Sequence, residues 1–500
     1  MPETPLAPSS PIRKVLTRLI VEGAFSGIMV NLVSGVLLVK LALELGAGAI
    51  HVGLLASFPF VGQIMQLPAV FAVSKLRKRR FVMLWGSAVY RLSLGAMIFV
   101  PWIENKAVAL KMLVICVLLR ELGGGWGSGP WNGLIRDLIP ERLLGRLFGN
   151  RLNLFTMLGT IAALLAAVLL DLVNHDMLLP LFSAYFAVAF VMGLCSLWQL
   201  YNLPEAEIGM TATSGMLKQL IEPLQDTNFR RLIAFMLALL FSVNIAVPFF
   251  PVYMLDSLSL PVGYVTAFWA LGQFMQLPFF KWWGMVSDRF SHTTSLAACL
   301  PFFVAGLLLW PFTALPEKHM FTVPLLLIIH MLMGVGLAGV TLSTAVISLK
   351  LAPKNKVTGY AATAALLANM AAAAAALSGG WLADKLDQMH LVVHIEWQSS
   401  TESGDMTAYS LHGYEFLFCL AALLVLMSTP LLGRIQEKGK APKEVVTRLM
   451  QQKTSNMFRS VSSVSGWRHL MSYPYVLLLR KRKVPGHPIH DPVDGADKTA

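Results

Sequence analysis

Runs of about 20 apolar residues recur along the whole chain, and they restrict its fold more than any other feature. A helix needs a run of roughly this length to cross a bilayer core about 30 Å thick. Of the 500 residues, 56% are hydrophobic and 13% are charged, which is not the composition of a soluble globular domain. The sequence therefore predicts an integral membrane protein built from helices.

We predict twelve membrane spans, numbered here in chain order, in an all-α fold. The spans cover residues 17–43, 50–72, 81–102, 109–136, 148–171, 178–202, 230–256, 262–286, 293–313, 322–349, 358–385 and 410–433. Each run is long enough to cross the hydrocarbon core as one helix.

The charges in the loops predict the orientation. Fourteen Lys and Arg residues lie in the loops on one side, before the C-terminal tail, whereas the other side has Lys106 and Lys318. Because basic loops are retained in the cytoplasm, we predict that both termini are cytoplasmic. The first apolar run is too long for a signal peptide, so we interpret it as an uncleaved span. We expect a multi-pass protein of the cytoplasmic (inner) membrane.

A seven-residue motif occurs twice, as "GQIMQLP" at 62–68 in span 2 and "GQFMQLP" at 272–278 in span 8. A similar offset separates Pro140 and Pro353, which are 213 residues apart in the loops after spans 4 and 10. The second copy is displaced by six spans, which indicates a six-helix unit duplicated in parallel orientation.

The duplication divides the chain into four parts. We predict an N-terminal six-helix half at 1–203, a cytoplasmic linker at 204–228, a C-terminal six-helix half at 229–433 and a basic cytoplasmic tail at 434–500. The tail has thirteen Lys and Arg residues against five Asp and Glu residues. Such a tail favours anionic lipid as its partner rather than nucleic acid.

Two loops carry a family resemblance. The segment "GMVSDRFSH" at 284–292 resembles the G-x-x-x-D-R loop signature of the major facilitator superfamily, and "DLIPERLLGRLFGNR" at 137–151 resembles its loop between spans 4 and 5. With twelve spans in two parallel halves, residues 15–433 are similar to secondary transporters of this superfamily, of the bacterial type. The resemblance implies alternating access between the halves, driven by a gradient.

The loop signature also implies a cytoplasmic latch formed by Gly284, Asp288 and Arg289. A carboxylate such as that of Asp288 can accept hydrogen bonds from the free N–H groups at the start of a helix. In the first copy Ser74 and Lys78 replace the glycine and the aspartate, and a cation cannot cap a helix N-terminus. We predict a single latch centred on Asp288; the other interpretation is a solvated Asp288–Arg289 loop pair.

Ionisable residues within the spans are the strongest candidates for a site, because a charge in hydrocarbon is costly. Arg120 and Glu121 lie in span 4, and Glu22 lies in span 1. Since adjacent helical residues point about 100° apart, we expect Arg120 and Glu121 to have partners on other helices. Arg120 binds either an anionic substrate group or a protonatable carboxylate, or it forms a structural ion pair with Glu22 or Glu121. With Gly124 it partly resembles the Arg-x-x-x-Gly element of drug/proton antiporters.

The remaining candidates are polar or aromatic residues within spans. They are Trp131, Asn132, Gln63, Gln66, Gln273, Gln276, His330, Asn31, Asn244 and Trp269. The two glutamines of each repeat lie three residues apart on one helix face, so they either hold substrate or bond helix to helix. In the resembling family, spans 1, 7 and 8 line the cavity, which implies a role for Asn31, Asn244 and Trp269. Trp131 is alternatively a lipid-interface residue, and His330 a packing donor.

No nucleotide-binding, nucleophile or metal-ligand motif stands out, so we predict no enzyme activity, no cofactor and no metal site. We predict transport of a small-molecule substrate by proton-coupled symport or antiport, with uniport as an open alternative. The rival hypothesis is a transport-inactive membrane receptor or scaffold that acts through its basic tail. The embedded charges favour transport, because a scaffold has no need of them.

Overall fold

The computed structural model describes residues 10–205, 220–314, 319–353, 356–398 and 403–437. All twelve predicted spans are helical, and the all-α membrane fold is confirmed. The tail from residue 438, most of the predicted linker and the acidic tip of the last loop lie outside the described residues. The division into linker and tail therefore stays a prediction.

The first six spans contain two interrupted helices. Span 1 comprises Ser10–Leu32 and Gly35–Glu44, and span 2 comprises Ala49–Ile64 and Gln66–Leu76. The other four are span 3, Arg79–Met97; span 4, Lys106–Leu138; span 5, Glu141–Leu172; and span 6, His175–Tyr201.

The last six spans contain one interrupted helix. Span 7 comprises Thr227–Asn244 and then the short helical turns Val247–Phe249, Phe250–Val252 and Tyr253–Ser257. The others are span 8, Val262–Arg289; span 9, His292–Leu309; span 10, Thr322–Leu351; span 11, Val357–Leu386; and span 12, Tyr414–Gly433.

Ten of the spans are both long and apolar enough to cross a membrane, and spans 4 and 8 are the two more polar ones. Both are ample in length, at 33 and 28 residues. Span 4 contains Arg120 and Glu121, and span 8 contains Gln273, Gln276 and Lys281. Polar and charged residues within a membrane span usually face the interior of the bundle or a water-filled cavity.

Span 5 begins earlier than the sequence indicated. The helix starts at Glu141 rather than at residue 148, so most of the segment predicted as a loop after span 4 is helical. Ile139 is extended and Pro140 caps the next helix, because the residue before a proline avoids the helical conformation. Arg151 therefore lies well inside a helix rather than at its edge.

Glycines let span 4 pack closely between spans 2 and 3. A Cβ atom on Gly123 would lie 2.8 Å from the Gly86 carbonyl oxygen of span 3, and one on Gly125 would overlap the Gly62 carbonyl of span 2. Small residues are the usual means by which membrane helices approach one another.

The last loop contains a hairpin. Strand β1, His390–Gln398, pairs antiparallel with strand β2, Ser403–His412. The segment "LVVHIEW" lies within strand β1. It connects spans 11 and 12.

We predict that Gly125→Ala destabilises the protein, whereas Gly145→Ala does not. A methyl group at Gly125 collides with the backbone of span 2, while one at Gly145 has open space within 4 Å. Overpacking of this kind costs about 1–3 kcal/mol, whereas a helical Gly→Ala change without a clash is neutral or stabilising. The midpoint of thermal aggregation in detergent measures the difference. Equal midpoints for the two variants would contradict the close packing.

Candidate functional site

A buried carboxylate in span 1 is the centre of a charged network. Both oxygens of Glu22 are occupied: Oε2 accepts from Arg151 Nε at 3.0 Å and Nη2 at 2.8 Å. Its Oε1 accepts from the Ser26 hydroxyl at 2.5 Å and from the Ser196 hydroxyl at 3.1 Å. Glu22 is 3% exposed, so this ion pair lies away from bulk solvent. A two-nitrogen bond from an arginine to a carboxylate is among the stronger polar contacts in proteins.

Arg91 of span 3 extends the network. Its Nη2 donates to the Ser196 hydroxyl at 2.8 Å, while Nε donates to the Gly193 carbonyl at 3.0 Å and Nη1 to the Ser87 carbonyl at 2.9 Å. Every nitrogen of its guanidinium is therefore engaged. Through Ser196 the network joins spans 1, 3, 5 and 6.

Trp131 of span 4 holds the Arg151 side chain from the other side. The guanidinium carbon lies 4.8 Å from the Trp131 ring centroid, within the range of a cation–π contact. Phe148 packs edge-on against the same ring at 6.0 Å. A Cβ at Gly23 would overlap the Arg151 side chain, so the glycine leaves the space that the arginine fills. We call Glu22, Arg91, Trp131, Arg151 and Ser196 the N-half charge network.

Arg120 and Glu121 form an ion pair with each other. The Glu121 Oε1 atom accepts from Arg120 Nε at 2.9 Å and from Nη2 at 2.6 Å. The structure shows the alternative that we left open, a structural ion pair between Arg120 and Glu121, because two long side chains can bend back to meet. The expected partner on another helix is described for Arg120 but not for Glu121. Arg120 is 2% exposed, whereas the Glu121 side chain is 18% exposed.

The third contact of Arg120 goes to the interruption in span 1. Its Nη1 donates to the Val33 carbonyl oxygen at 2.5 Å. The helix stops after Leu32 and restarts at Gly35, whose φ of 60° is left-handed, so the Val33 carbonyl has no helical partner. A broken helix within a membrane is tolerated where side chains satisfy its backbone, and such breaks mark binding sites in transporters.

The repeated glutamines differ between the halves. Gln66 Nε2 donates to Gln63 Oε1 across the interruption at Met65. In span 8, Gln276 Nε2 makes a long bond of 3.4 Å to the Gly272 carbonyl. These described bonds stay within one span. Gln63 is exposed, and Gln66, Gln273 and Gln276 are half-buried.

The other polar candidates bond mainly to their own helices. Asn31 donates to the Gly27 carbonyl at 2.9 Å, and Asn244 donates to the Leu240 carbonyl at 2.8 Å. Asn132 is exposed and Trp269 is half-buried. The structure does not place any of them in the N-half charge network.

His330 lies in an aromatic cluster of the C-terminal half. Its ring stacks on Phe268 at 5.4 Å and meets Trp310 edge-on at 5.7 Å, and its Nδ1 lies 2.8 Å from the Leu326 carbonyl. Trp310 also stacks on Phe250 at 4.6 Å. His330 is therefore surrounded by packing contacts.

A buried carboxylate that we did not select lies at the start of span 12. Glu415 is 1% exposed and accepts a hydrogen bond of 2.6 Å from the Tyr253 hydroxyl. The Thr313 hydroxyl lies 3.0 Å from the same tyrosine oxygen. The three residues come from spans 7, 9 and 12, so they tie the C-terminal half together.

The residues of the predicted latch are on the surface. Asp288 and Arg289 are exposed, and Arg289 lies over the Phe290 ring at 5.7 Å. A Cβ on Gly284 would meet Leu342 at an ordinary 3.7 Å, so no close helix approach depends on this glycine. The latch stays a prediction for another conformation.

A different carboxylate caps span 9. Glu437, just beyond span 12, accepts from the N–H groups of His292 at 3.1 Å and Thr293 at 2.9 Å. The Lys350 ammonium donates to it at 3.0 Å. Burial alone would raise the pKa of Glu437, but these backbone and ammonium donors outweigh burial and hold the pKa below its ordinary value.

Sequence reasoning missed Arg91 and Arg151. Arg91 lies within predicted span 3, so the rule that selected Arg120 would have found it. Arg151 was assigned to a loop motif at the start of span 5, and that boundary error hid its position inside a helix.

The comparisons with known proteins agree on the fold. The Major Facilitator Superfamily profile matches residues 20–376 of the chain. No curated protein sequence matches the chain.

Several solved structures share the architecture at low sequence identity. A mutant of the nucleoside transporter NupG is similar at a TM-score of 0.63 and 12% identity, covering 85% of this chain and 100% of that one. The D-xylose–proton symporter gives a TM-score of 0.61 and 15% identity, covering 87% and 100%. A bacterial homologue of the iron transporter ferroportin in the inward-facing state gives 0.59 and 15%, covering 86% and 99%.

We predict that Glu22 and Arg151 are strongly coupled. Glu22→Ala leaves buried cations without a counter-charge, which costs about 3–5 kcal/mol, whereas Glu22→Ala combined with Arg151→Ala costs less than the sum of the two single changes. Thermal midpoints of the four proteins in detergent give the coupling. Additive effects would contradict a direct ion pair. Glu104→Gln, in an exposed loop, is the control for the loss of a carboxylate.

We also predict that Glu437→Gln destabilises the protein by about 1 kcal/mol at neutral pH, because span 9 loses a charged cap. The folded-state pKa of Glu437 is depressed from 4.5, so its stabilising effect is present above that pH and is lost as the pH falls through the lower folded value. The stability difference from wild type should therefore shrink in acid. A difference that does not vary with pH would contradict the charged cap.

Proposed function

Since the chain belongs to the major facilitator superfamily, we propose that it carries a small anionic solute across the membrane by alternating access, coupled to protons. The family and the transporter neighbours support secondary transport by two six-helix halves, residues 1–203 and 229–433. The charges within the N-terminal half support the choice of solute and of coupling ion.

The observation that carries the proposal is an excess of positive charge. The N-half charge network and the Arg120–Glu121 pair together contain three arginines, Arg91, Arg120 and Arg151, and two carboxylates, Glu22 and Glu121. Keeping a charge in hydrocarbon is costly unless it is paired, so this region lacks one anionic partner. A solute with a carboxylate or phosphate group would supply it.

Proton coupling follows from the position of Glu22. Protonation removes the charge that holds Arg151, while the Ser26 and Ser196 hydroxyls can still bond to the neutral carboxyl group. Arg151, whose side chain is 21% exposed, then becomes the free cation for the solute. Solute and proton would thus bind together and leave together.

Arg120 and Glu121 form a second pair that can respond to the solute. Glu121 is the partly exposed member of this pair, whereas Arg120 is buried and donates to the Val33 carbonyl at the interruption of span 1. Competition of a solute anion for Arg120 would loosen that interruption. We place the half-buried candidates Asn31 and Gln66 and the exposed Gln63 along the same pathway.

The C-terminal half would complete the pathway with uncharged groups. We assign supporting contacts to Gln273, Gln276, Asn244 and Trp269 of this half and to Asn132 of span 4, because half-buried or exposed polar and aromatic residues suit a solute pathway. His330 is less suited to direct contact, since it is buried among aromatic rings.

The topology completes the proposal. We propose that both termini and the linker at 204–228 are cytoplasmic in an inner membrane, and that the basic tail binds anionic lipid. Asp288, with Gly284 and Arg289, would close the cytoplasmic side by capping span 5, whose N-cap is Pro140 and whose start has no side-chain cap. A receptor or scaffold without transport is the rival, and the paired buried charges argue against it.

Ligand binding can be tested by thermal stability. We expect wild-type protein to be stabilised by a carboxylate or phosphate compound in a panel of anionic, cationic and neutral solutes. Arg151→Lys keeps a cation beside Glu22 but loses the two-nitrogen geometry and the ring contact, so it should weaken that solute at least about tenfold. Arg13→Lys, on the exposed start of span 1, is the matched control. Stabilisation only by cationic or neutral solutes would contradict an anion site.

Coupling can be tested in proteoliposomes with an imposed pH gradient. We expect wild type to accumulate the solute against its gradient, and Glu22→Gln to exchange solute without accumulating it. Glu104→Gln should behave as wild type. Undiminished accumulation by Glu22→Gln would remove Glu22 from the coupling mechanism.

A further inference from the structure

Two aspartates join the halves at one face of the protein. Asp171, at the end of span 5, accepts hydrogen bonds from the N–H groups of Val262 at 2.8 Å and Gly263 at 2.7 Å. Asp384, near the end of span 11, accepts from the Ala49 N–H at 3.0 Å. Each carboxylate therefore binds the first N–H groups of a helix in the opposite half. We call this side the outer face, since the loops there are those predicted to be extracytoplasmic.

The two helices have no cap of their own. The N-cap residue of span 2 is Gly48 and that of span 8 is Pro261, and neither makes a side-chain capping bond. A helix start leaves several N–H groups unpaired, and a carboxylate is a favourable acceptor for them. The carboxylates that cap spans 2 and 8 thus come from the opposite half rather than from the spans' own N-cap residues.

The arrangement is repeated by the internal duplication. Asp171 and Asp384 are 213 residues apart, the same offset that separates Pro140 and Pro353. Span 5 caps span 8, and span 11 caps span 2. A contact that occurs once could be incidental, but this one occurs at both equivalent positions.

These aspartates account for all the hydrogen bonds found between the two halves within the described residues. The spans also touch closely there: a Cβ on Gly263 would lie 2.8 Å from an Asp171 carboxylate oxygen, and one on Gly380 would lie 2.7 Å from the Ala49 carbonyl oxygen. At the other end of spans 2 and 8, Phe71 and Met285 are exposed. The halves are therefore joined by hydrogen bonds at the outer face.

We propose that Asp171 and Asp384 are the outer gate of the transport cycle, holding the halves together while the cytoplasmic side is open. This rests on the proposed alternating access, and it names gating residues that the solute site does not include. When the halves rock apart at the outer face, both helix starts lose their acceptors and are solvated instead. Asp171 is exposed and Asp384 is half-buried, so water can replace these bonds and the gate is reversible.

The experiment measures the distance between the halves directly. Spin labels are placed at Asn174 and Ser259, exposed loop residues on opposite halves, in full-length protein with the four native cysteines replaced. Pulsed electron spin resonance in lipid nanodiscs without solute then gives the populations of closed and open outer faces.

The gate predicts a specific order of effects. Losing one cap should raise the open-to-closed ratio about fivefold, so Asp171→Ala with Asp384→Ala should raise it about 25-fold. For Asp384→Asn the open-to-closed ratio should stay near that of wild type, because the amide oxygen can still accept the single hydrogen bond from Ala49. Asp171→Asn should raise the ratio, because the amide keeps one acceptor oxygen and so loses one of the two hydrogen bonds. Gly263→Ala, which displaces the Asp171 carboxylate without changing charge, should act like Asp171→Ala.

Asp176→Ala is the matched control, since it removes an exposed carboxylate from the same face without a described bond to the other half. Unchanged distances in the double variant, or an equal shift in Asp176→Ala, would overturn the gate. Because no solute is present, this result is independent of the solute site. Transport with an unmoved outer face would reject the gate alone, and an opening gate without any transport would reject the proposed function alone.

Discussion

The requirement that charges within the membrane be neutralised inside the protein determines the arrangement of the N-terminal half. Arg91, Arg120 and Arg151 each occupy most of their nitrogens with carboxylates, hydroxyls or backbone carbonyls. An unpaired cation in hydrocarbon would cost more than the protein could tolerate, so these contacts fix how spans 1, 3, 4, 5 and 6 are placed. Gly23 and Gly193 leave the space that the Arg151 and Arg91 side chains occupy between the spans.

The duplicated halves share a backbone plan but differ in chemistry. Where the N-terminal half has a charge network, the C-terminal half has an aromatic cluster, in which Trp310 stacks on Phe250 and Phe418 packs beside both. Its buried carboxylate, Glu415, accepts a hydrogen bond from the Tyr253 hydroxyl. The C-terminal half therefore relies more on aromatic packing, whereas the buried arginines lie in the N-terminal half.

The fold was largely predictable because hydropathy and the repeat are long-range patterns that tolerate errors of several residues. The site was less so, since ion pairing depends on where each helix begins and how long side chains bend. Because span 5 starts at Glu141 rather than at residue 148, Arg151 lies well inside the helix, where it pairs with Glu22, rather than at the helix edge. The directions of the two Cβ atoms did not predict the pairing of Arg120 with Glu121. The pair forms because the charged atoms lie several bonds beyond Cβ, so the two side chains can bend toward each other. Asp171 and Asp384 could not be found from one sequence, as their acceptor role depends on contact between halves.

Spans 5 and 8 carry a carboxylate near one end each, and this gives the rocking motion a physical basis. At the outer face Asp171 of span 5 caps the start of span 8, and at the opposite end Asp288 of span 8 stands exposed beyond the uncapped start of span 5. Spans 2 and 11 have only the outer contact, since Lys78 occupies the position equivalent to Asp288. Closing one face requires opening the other if both caps on this pair cannot form at once. For this pair of spans each cap formed would then replace one broken. The cost of opening the outer face would come mainly from the Asp384 cap on span 2, which has no cytoplasmic counterpart, and solute and proton binding would have to supply it.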